Sequence, residues 1–472
     1  MSNKYYIQQM IEDLAIAGVD CNCLQYVQGN WHESIELNVS FSGAEIDSRQ
    51  VTPGCLFIGL IGENVDGSKY AQQAFQDGAI IALTTKQEHV QDFKAVDGAT
   101  LLQVDDTARA MLALAKSRRQ KLASRVIAIT GTNGKTTTKD LLSACLADCG
   151  KVASTSGNFN NEIGLPLTLL RVEGDEDFVI VEMGASASGD IAMLSEIAQP
   201  DCGIITNASG AHLEGFGSLE TIIDTKGELI DYIPDNGFIV LNRDENGFEQ
   251  WSNRARGEVI SFSENGEQSW SWADQQLSFS GQKYNIPLPG KYNGCNFMSA
   301  LLVAQKLECS VEKIRSGLAD FAVSAHRGKL IVAGDIQLFD DCYNANPASV
   351  LTAAEAVKQM SRGRTIAILG FMAELGNDSE SLHISTGKQL YDIGIDVLIG
   401  VGEKTGPLVD GFLKSGGSAS ICSDQNAAAN WLKENKAEDD LVLIKGSRSS
   451  KMELVIDGYL ELINDGSKGV AQ

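Results

Sequence analysis

The sequence predicts an α/β protein of three domains, and three observations lead there. Short β-branched runs alternate with helical stretches along nearly all of the 472 residues. One strand–turn–helix unit in the first third of the chain carries a glycine-rich phosphate-loop pattern. After about Ser324 the alternation of strands and helices starts afresh, as a second doubly wound unit would. The expected limits are 1–104 for a small α/β domain, 105–323 for a central parallel-sheet domain, and 324–472 for a Rossmann-like domain.

Composition narrows the function. Hydrophobic residues at 43% and charged residues at 21% suit a globular chain with a sizeable core. A net charge of -24 argues against nucleic acid or an anionic membrane as main partner. A phosphate ligand would need a local cationic or dipolar site. The start Met1–Ile7 lacks an apolar signal segment, and no run reaches membrane-spanning length. The ten cysteines are scattered, and Cys21-x-Cys23 has no matching second pair. Reduced, buried thiols in a cytoplasmic protein are expected rather than zinc.

In the first domain, Cys55–Leu60 and Ala79–Leu83 read as strands, with a helix near Tyr70–Gln76 between them. Asp106–Leu122 is periodic (Ala108, Met111, Leu112, Leu114, Ala115) and reads as a helix. In the central domain the strands are Val126–Thr130, Phe178–Val181, Cys202–Thr206 and Phe238–Leu241. Trp251–Tyr284 holds polar, glycine-bounded segments and reads as an antiparallel excursion. Leu338–Asp340, Thr365–Gly370, Val397–Gly402 and Leu441–Gly446 are the strands of the third domain, and Met452–Leu462 is a helix before a polar, fraying tail.

The phosphate loop is the sharpest motif. Val126–Thr130 ends in Gly131, Thr132, Asn133 and Gly134, and Lys135-Thr136-Thr137 opens a helix. Glycines let backbone N–H groups approach phosphate oxygens, and the helix dipole points at the same oxygens. Lys135 can reach the terminal phosphates of ATP, and the Thr136 hydroxyl can ligate Mg²⁺. The spacing G-T-N-G-K-T-T is shorter than the usual G-x-x-x-x-G-K-[ST].

Other candidates sit at strand ends. Glu182 follows Phe178–Val181 and is either a Mg²⁺ ligand or a solvated strand-end carboxylate. His212 lies in a glycine-rich loop past Cys202–Thr206 and is either structural or catalytic. Lys226, in the helix Thr221–Ile233, reads from spacing alone as a solvated face residue. Asn293 and Asn296, just before the helix Phe297–Leu307, could cap it or read a base edge. Asp340–Pro347 suggests a ribose or metal contact, or an Asx-rich turn. Lys445-Gly446-Ser447-Arg448 at a helix start suits a carboxylate.

Six strings in order, G-T-N-G-K-T-T, N-F-N-N-E-I-G-L-P-L-T-L-L (158–170), A-H-L-E-G-F-G-S (211–218), D-D-C-Y-N-A-N-P, A-E-L-G (373–376) and K-G-S-R-S-S-K-M-E (445–453), resemble the Mur ligase family. Asp47-Ser48-Arg49 and the loop Gly62–Gly67 match it too, so the likeness runs from about Asp47 to Met452. Within the family the strings resemble the type that adds D-alanyl-D-alanine to a UDP-N-acetylmuramoyl tripeptide.

The resemblance implies residue roles. Ser48, Arg49, Gly62 and Asp66 would lie on the UDP-sugar side of the first domain. Gly131 to Thr137 would hold ATP, with Thr136, Glu182, His212 and a carbamylated Lys226 around Mg²⁺. Lys135, His212 and Lys226 would be the catalytic set. Asn293 and Asn296 would contact adenine, Asp341 the ribose and Lys329 a phosphate. Asn158, Asn160, Asn161, Thr168, Asn344, Asn346, Lys445, Ser447 and Arg448 would line the substrate side. A monomer is expected. Three residues depart from the family pattern: Tyr292 replaces a common His, Gly328-Lys329-Leu330 a common Gly-Arg-Leu, and Phe371 a usual Asp. The phosphate contact of the third domain then falls to Lys329 or to Arg327. Two other readings are a folylpolyglutamate synthase, against which the Asp47-Ser48-Arg49 domain speaks, and a regulatory ATPase that does not ligate.

Overall fold

The computed structural model describes residues 4–33, 38–85, 94–210, 213–265, 270–273 and 275–468. Three six-stranded sheets follow one another along the chain, with a three-stranded antiparallel sheet beside the second.

The first sheet runs Asn30–His32, Cys21–Val27, Thr100–Val104, Ile81–Thr85, Leu56–Ile58, Ala44–Glu45. Cys21–Val27 is antiparallel to both of its neighbours, and the remaining pairs are parallel. The helix Ile7–Ile16 and the strands Cys21–Val27 and Asn30–His32 precede every element expected from the sequence. Their signal is weak because Gln25 and the cysteines interrupt the apolar run.

The second sheet is wholly parallel, in the order Glu258–Phe262, Phe238–Asn242, Cys202–Ile205, Arg125–Thr130, Phe178–Glu182, Val152–Ser154. Its chain order reverses at Arg125–Thr130: later strands lie on both sides of it. That is a topological switch point, where the carboxyl ends of strands open a crevice. The third sheet runs Lys329–Ala333, Ile336–Asp340, Leu441–Lys445, Thr365–Leu369, Val397–Val401, Ser418–Cys422, parallel except for its first strand.

Parallel strands covered on both faces must be apolar throughout. Accordingly Val126–Thr130, Val179–Glu182 and Leu441–Lys445 are buried residue after residue. The helix Thr107–Lys121 lies between the first two sheets. Met111 and Leu114 share one continuous core with Met10 and Leu14 on one side and Leu169, Leu170 and Leu194 on the other. Arg171 bonds the Ala44 carbonyl at 2.9 Å and Glu45 at 2.7 Å, which fastens the edge of the first sheet to the second layer.

Four expectations need correction. Trp251 lies in a helix, Phe248–Arg254, and Glu258–Phe262 joins the parallel sheet; the antiparallel excursion is confined to strands between Trp270 and Asn285. The helix expected at Phe297 opens at Lys291, because Gly290 takes φ +89 and supplies the turn. The final helix passes Leu462 and reaches Lys468. Cys149 and Cys309 are joined as a disulfide, so the thiols are not all reduced; the other eight cysteines are free.

Helix packing positions the phosphate loop. The helix Lys135–Leu146 is held by Val311–Ala319 at a crossing where Gly317 faces the Ala144 carbonyl. A Cβ on Gly317 would stand 1.9 Å from that oxygen. Further along the linker, the Ser324 hydroxyl donates to Asp140 Oδ2 at 2.5 Å, on the same helix. Gly317→Ala is therefore expected to destabilise by about 1–3 kcal/mol, as overpacking does. Urea denaturation should show a lowered midpoint with an unchanged slope; a wild-type midpoint would contradict the close approach.

Candidate active site

The turn after Arg125–Thr130 is built from two left-handed glycines, Gly131 at φ +143 and Gly134 at φ +80. Side chains are excluded there as well as strained. A Cβ on Gly131 would lie 2.0 Å from Thr206 Oγ1, and one on Gly134 would lie 2.3 Å from Asn296 Oδ1. Gly134 is the N-cap of Lys135–Leu146, and no side chain among the described residues caps that helix. Its first-turn N–H groups are open to an anion, with the positive end of the helix dipole behind them.

The loop's neighbours come from adjacent strand ends. Thr136 Oγ1 donates to Glu182 Oε2 at 2.7 Å, and Asn160 Nδ2 donates to Oε1 at 2.7 Å. Glu182 is 2% exposed. It joins Thr136 in offering hard oxygen ligands at the phosphate loop, which suits Mg²⁺. The Lys135 ammonium turns back onto the loop carbonyls of Gly131 and Thr132, at 2.8 and 3.1 Å. Burial pushes its pKa down; Glu182 opposes that and Arg327 reinforces it.

The carboxyl ends of the second and third parallel sheets face each other across a cleft of about 870 Å³. Gly134, Thr132, Asn133 and Lys135 to Thr137 line one wall with Asn158, Asn160, Asn161, Glu182, Asn293 and Asn296. Asp341, Asn344, Asn346, Lys445, Ser447 and Arg448 line the other. Lysine 445 is buried and its Nζ is taken by Asp341 Oδ2 at 2.6 Å and the Asn344 carbonyl at 2.8 Å. Its charge is spent inside the wall. Ser447 Oγ donates to the Phe371 carbonyl at 2.7 Å, and Arg448 pairs with Glu453 at 2.7 Å. Asn296 Nδ2 donates to Asn293 Oδ1 at 3.2 Å, and Asn293 Nδ2 to the Pro289 carbonyl at 2.7 Å. Both lie within the helix rather than at its cap.

Several sequence candidates stand apart from this cleft. Thr168 is buried and returns its hydroxyl to the Gly164 carbonyl at 2.9 Å. Lys329 opens an exposed strand, whereas Arg327 lines the cleft with its guanidinium 3.8 Å from the Tyr343 ring centroid. The Phe371 side chain is stacked on His383 with centroids 4.7 Å apart and is not a cleft wall. Lys226 is 3% exposed, not a solvated face residue, with Nζ 5.5 Å from the Phe216 ring centroid. Burial first, then the charge of Lys135, pushes its pKa down to about 7. His212 lies outside the described residues. Ser48, Arg49, Gly62 and Asp66 are on the first sheet's loops: Arg49 is exposed and forked onto Asp47, and Asp66 accepts from Ser68 N at 2.9 Å. Exposed Ile61, Val65 and Tyr70 lie along the same loops.

Sequence reasoning missed Asn207 and Thr206. Asn207 Oδ1 accepts from Asn133 N at 2.9 Å, and its Nδ2 donates to the Asn133 carbonyl at 3.0 Å. Thr206 Oγ1 donates to the same carbonyl at 2.6 Å. Their position just past Cys202–Ile205, next to the phosphate strand, was the available signal.

Comparison with known proteins agrees with this geometry. The Mur ligase family catalytic domain matches residues 40–119, the Mur ligase middle domain 129–304, and the Mur ligase glutamate ligase domain 326–448. The chain is 33% identical over 448 residues to the UDP-N-acetylmuramoyl-tripeptide–D-alanyl-D-alanine ligase of Escherichia coli K12, covering 90% of this chain and 96% of that protein. It is 32% identical over 432 residues to the Bacillus subtilis 168 protein of the same name, covering 89% and 93%. A crystal structure of MurF from Acinetobacter baumannii superposes with a TM-score of 0.82 at 27% identity, covering 98% of this chain and 99% of that one. MurF ligase from Thermotoga maritima in complex with ADP gives 0.76 at 25% identity, covering 90% and 98%. Escherichia coli FolC, at 18% identity and a TM-score of 0.57 over 76% of this chain, shares the fold alone.

Gly134→Ala is expected to weaken binding of a non-hydrolysable ATP analogue at least about tenfold, from strain of ~1–3 kcal/mol and the clash with Asn296. Calorimetric titration of the folded variant checks this; wild-type affinity would contradict the cradle.

Proposed function

The chain belongs to the Mur ligase family, and from that membership we propose that it joins D-alanyl-D-alanine to a UDP-N-acetylmuramoyl tripeptide, using ATP, in peptidoglycan precursor synthesis. The observation that carries the reading is a single one. Relatives matching the chain nearly end to end bear this one activity in their names, while a folylpolyglutamate-type enzyme shares only the fold. Use of ATP and a nucleotide-linked substrate supports a cytoplasmic location.

The residues then divide the work along the three proposed units, 1–104, 105–323 and 324–472. Ser48, Arg49 and the Gly62–Asp66 loop hold the UDP end, with Tyr70 and Val65 as apolar surface beside them. Gly131 to Thr137 receive the ATP phosphates on backbone N–H groups. Asn293 and Asn296 face the adenine, and Asp341 keeps one carboxylate oxygen for the ribose while Lys445 takes the other. Thr136 and Glu182 would hold Mg²⁺, which supplies charge neutralisation to the phosphates when bound. Arg327, with no carboxylate partner among the described residues, supplies the third unit's cation, in place of Lys329.

In the reaction a carboxylate oxygen of the tripeptide attacks the terminal phosphorus of ATP, and the bond to the ADP oxygen breaks. The dipeptide amine attacks the resulting acyl carbon through a tetrahedral state. Phosphate departs, the nitrogen loses a proton, and an amide remains. Negative charge gathers in both steps, so Lys135 and Arg327 act where it develops. The two facing walls exclude water from the activated carboxyl.

The dipeptide assignment is checked by competition. With UDP-muramoyl tripeptide as acceptor, D-alanyl-D-alanine should be incorporated ahead of D-alanine, L-alanine and D-glutamate. Preference for a single amino acid would sink the assignment and leave the ATP-dependent ligase intact.

Lys226 supports a carbamate. A pKa of about 7 makes the amine largely neutral near physiological pH, and the neutral amine is the form that adds to CO₂. Its protonated fraction falls as pH rises through about 7. At limiting bicarbonate, carbamate content and activity should therefore rise together across that interval. Trapping of the carbamate as its methyl ester, followed by mass spectrometry, should mark Lys226 alone; equal activity with and without CO₂ would refute the role.

A further inference from the structure

Asn346 performs two tasks with one amide. Its Oδ1 accepts from Ser349 N at 2.9 Å and so caps the helix Pro347–Met360, with Ser349 Oγ accepting from Asn346 N at 3.0 Å in return. Its Nδ2 donates to Asn133 Oδ1 at 2.8 Å, across the cleft. It is 8% exposed. Neither polar atom is therefore directed at a substrate.

Asn133 is equally committed. Its N–H and carbonyl are held by Asn207 and Thr206, and its Nδ2 donates to Ser209 Oγ at 3.1 Å. The remaining side-chain acceptor is the one Asn346 occupies. The middle residue of the phosphate loop is thus braced from the second sheet on one side and from the first turn of a third-sheet helix on the other. Gly134 and Lys135, the next residues, present the groups open to phosphate.

We propose that Asn346 is a positioning residue that locks the phosphate loop to the third unit, so that the loop holds its ATP-receiving shape only when that unit is docked. A neutral amide suits the place. A cation there would compete with Lys135 for phosphate, and a carboxylate would repel it. The brace also explains why one side chain both caps and reaches: the cap fixes the rotamer that aims Nδ2 at Asn133. The proposal rests on the ligase reading only in taking ATP as the ligand of the loop.

The test separates the cap from the brace in the full-length protein. Asn346→Ser keeps a capping oxygen and loses the amide; Asn346→Ala loses both. Phosphate release is followed with UDP-muramoyl tripeptide and D-alanyl-D-alanine while ATP is varied. Both variants should lose about fivefold or more in kcat/KM for ATP, the scale of one neutral hydrogen bond. KM for the UDP-tripeptide should stay at its wild-type value. The melting temperature should fall for Asn346→Ala and hold for Asn346→Ser. Asn133→Ala combined with Asn346→Ser should be no worse than the poorer single variant. Wild-type ATP kinetics in Asn346→Ser, or additive losses in the double variant, would overturn the brace. If wild-type enzyme takes another amine, the dipeptide assignment fails, and the same variants assayed with that amine still decide the brace.

Discussion

A row of backbone N–H groups must be kept bare at the start of one helix, and much of the molecule is arranged around that requirement. The first turn of Lys135–Leu146 has no capping side chain among the described residues, and its cap residue is a left-handed glycine. Bare N–H groups inside a protein are unfavourable unless a ligand or water meets them. The fold answers by placing them at a topological switch point, where the sheet itself opens a crevice. Asn207, Thr206 and Asn296 crowd the loop from the second unit's side and leave no room for side chains at its glycines. The polar investment goes into holding the turn rather than into filling its donors.

Electrostatics follows the same economy. The chain carries -24 overall, yet its cleft gathers Lys135 and Arg327. Carboxylates are not excluded from that cleft; they are assigned. Glu182 is bound by Thr136 and Asn160, and Asp341 by Lys445. A polyanion entering the site therefore meets Lys135, held on loop carbonyls rather than a carboxylate, and Arg327, while Glu182 and Asp341 are already bonded. Lysine 226, buried behind this array, has its pKa lowered first by that burial and then by repulsion from Lys135.

The parallel strands and the phosphate loop were legible from the sequence because burial on both faces and a glycine-rich turn leave local marks. Apolar runs such as Leu441–Ile444 state their environment residue by residue. The antiparallel start of the first sheet was not legible, since Cys21–Val27 mixes polar and apolar residues and joins the sheet through Thr100–Val104, far along the chain. For the site, strand-end logic located Glu182, Asp341 and Lys445. It did not show that Lys445 and Asp341 neutralise each other, which depends on two strands meeting as neighbours in the third sheet. Nor did it separate Arg327 from Lys329. Those two are distinguished by which side of the sheet edge each occupies, and residue type alone carries no such information. The Cys149–Cys309 pair likewise depends on how two helix ends meet.

The Ser324 hydroxyl bonded to Asp140 ties the linker ahead of the third sheet to the phosphate helix itself. Lys139 steadies that carboxylate from the neighbouring position, at 2.9 Å. Asp140 lies five residues after Lys135, roughly 7.5 Å along the helix axis. The span between this anchor and the phosphate loop is thus a length of regular helix, a ruler that neither the first sheet nor the antiparallel excursion can alter. Substitutions in those outer layers leave unchanged the distance that the helix sets between the Ser324 anchor and the phosphate loop.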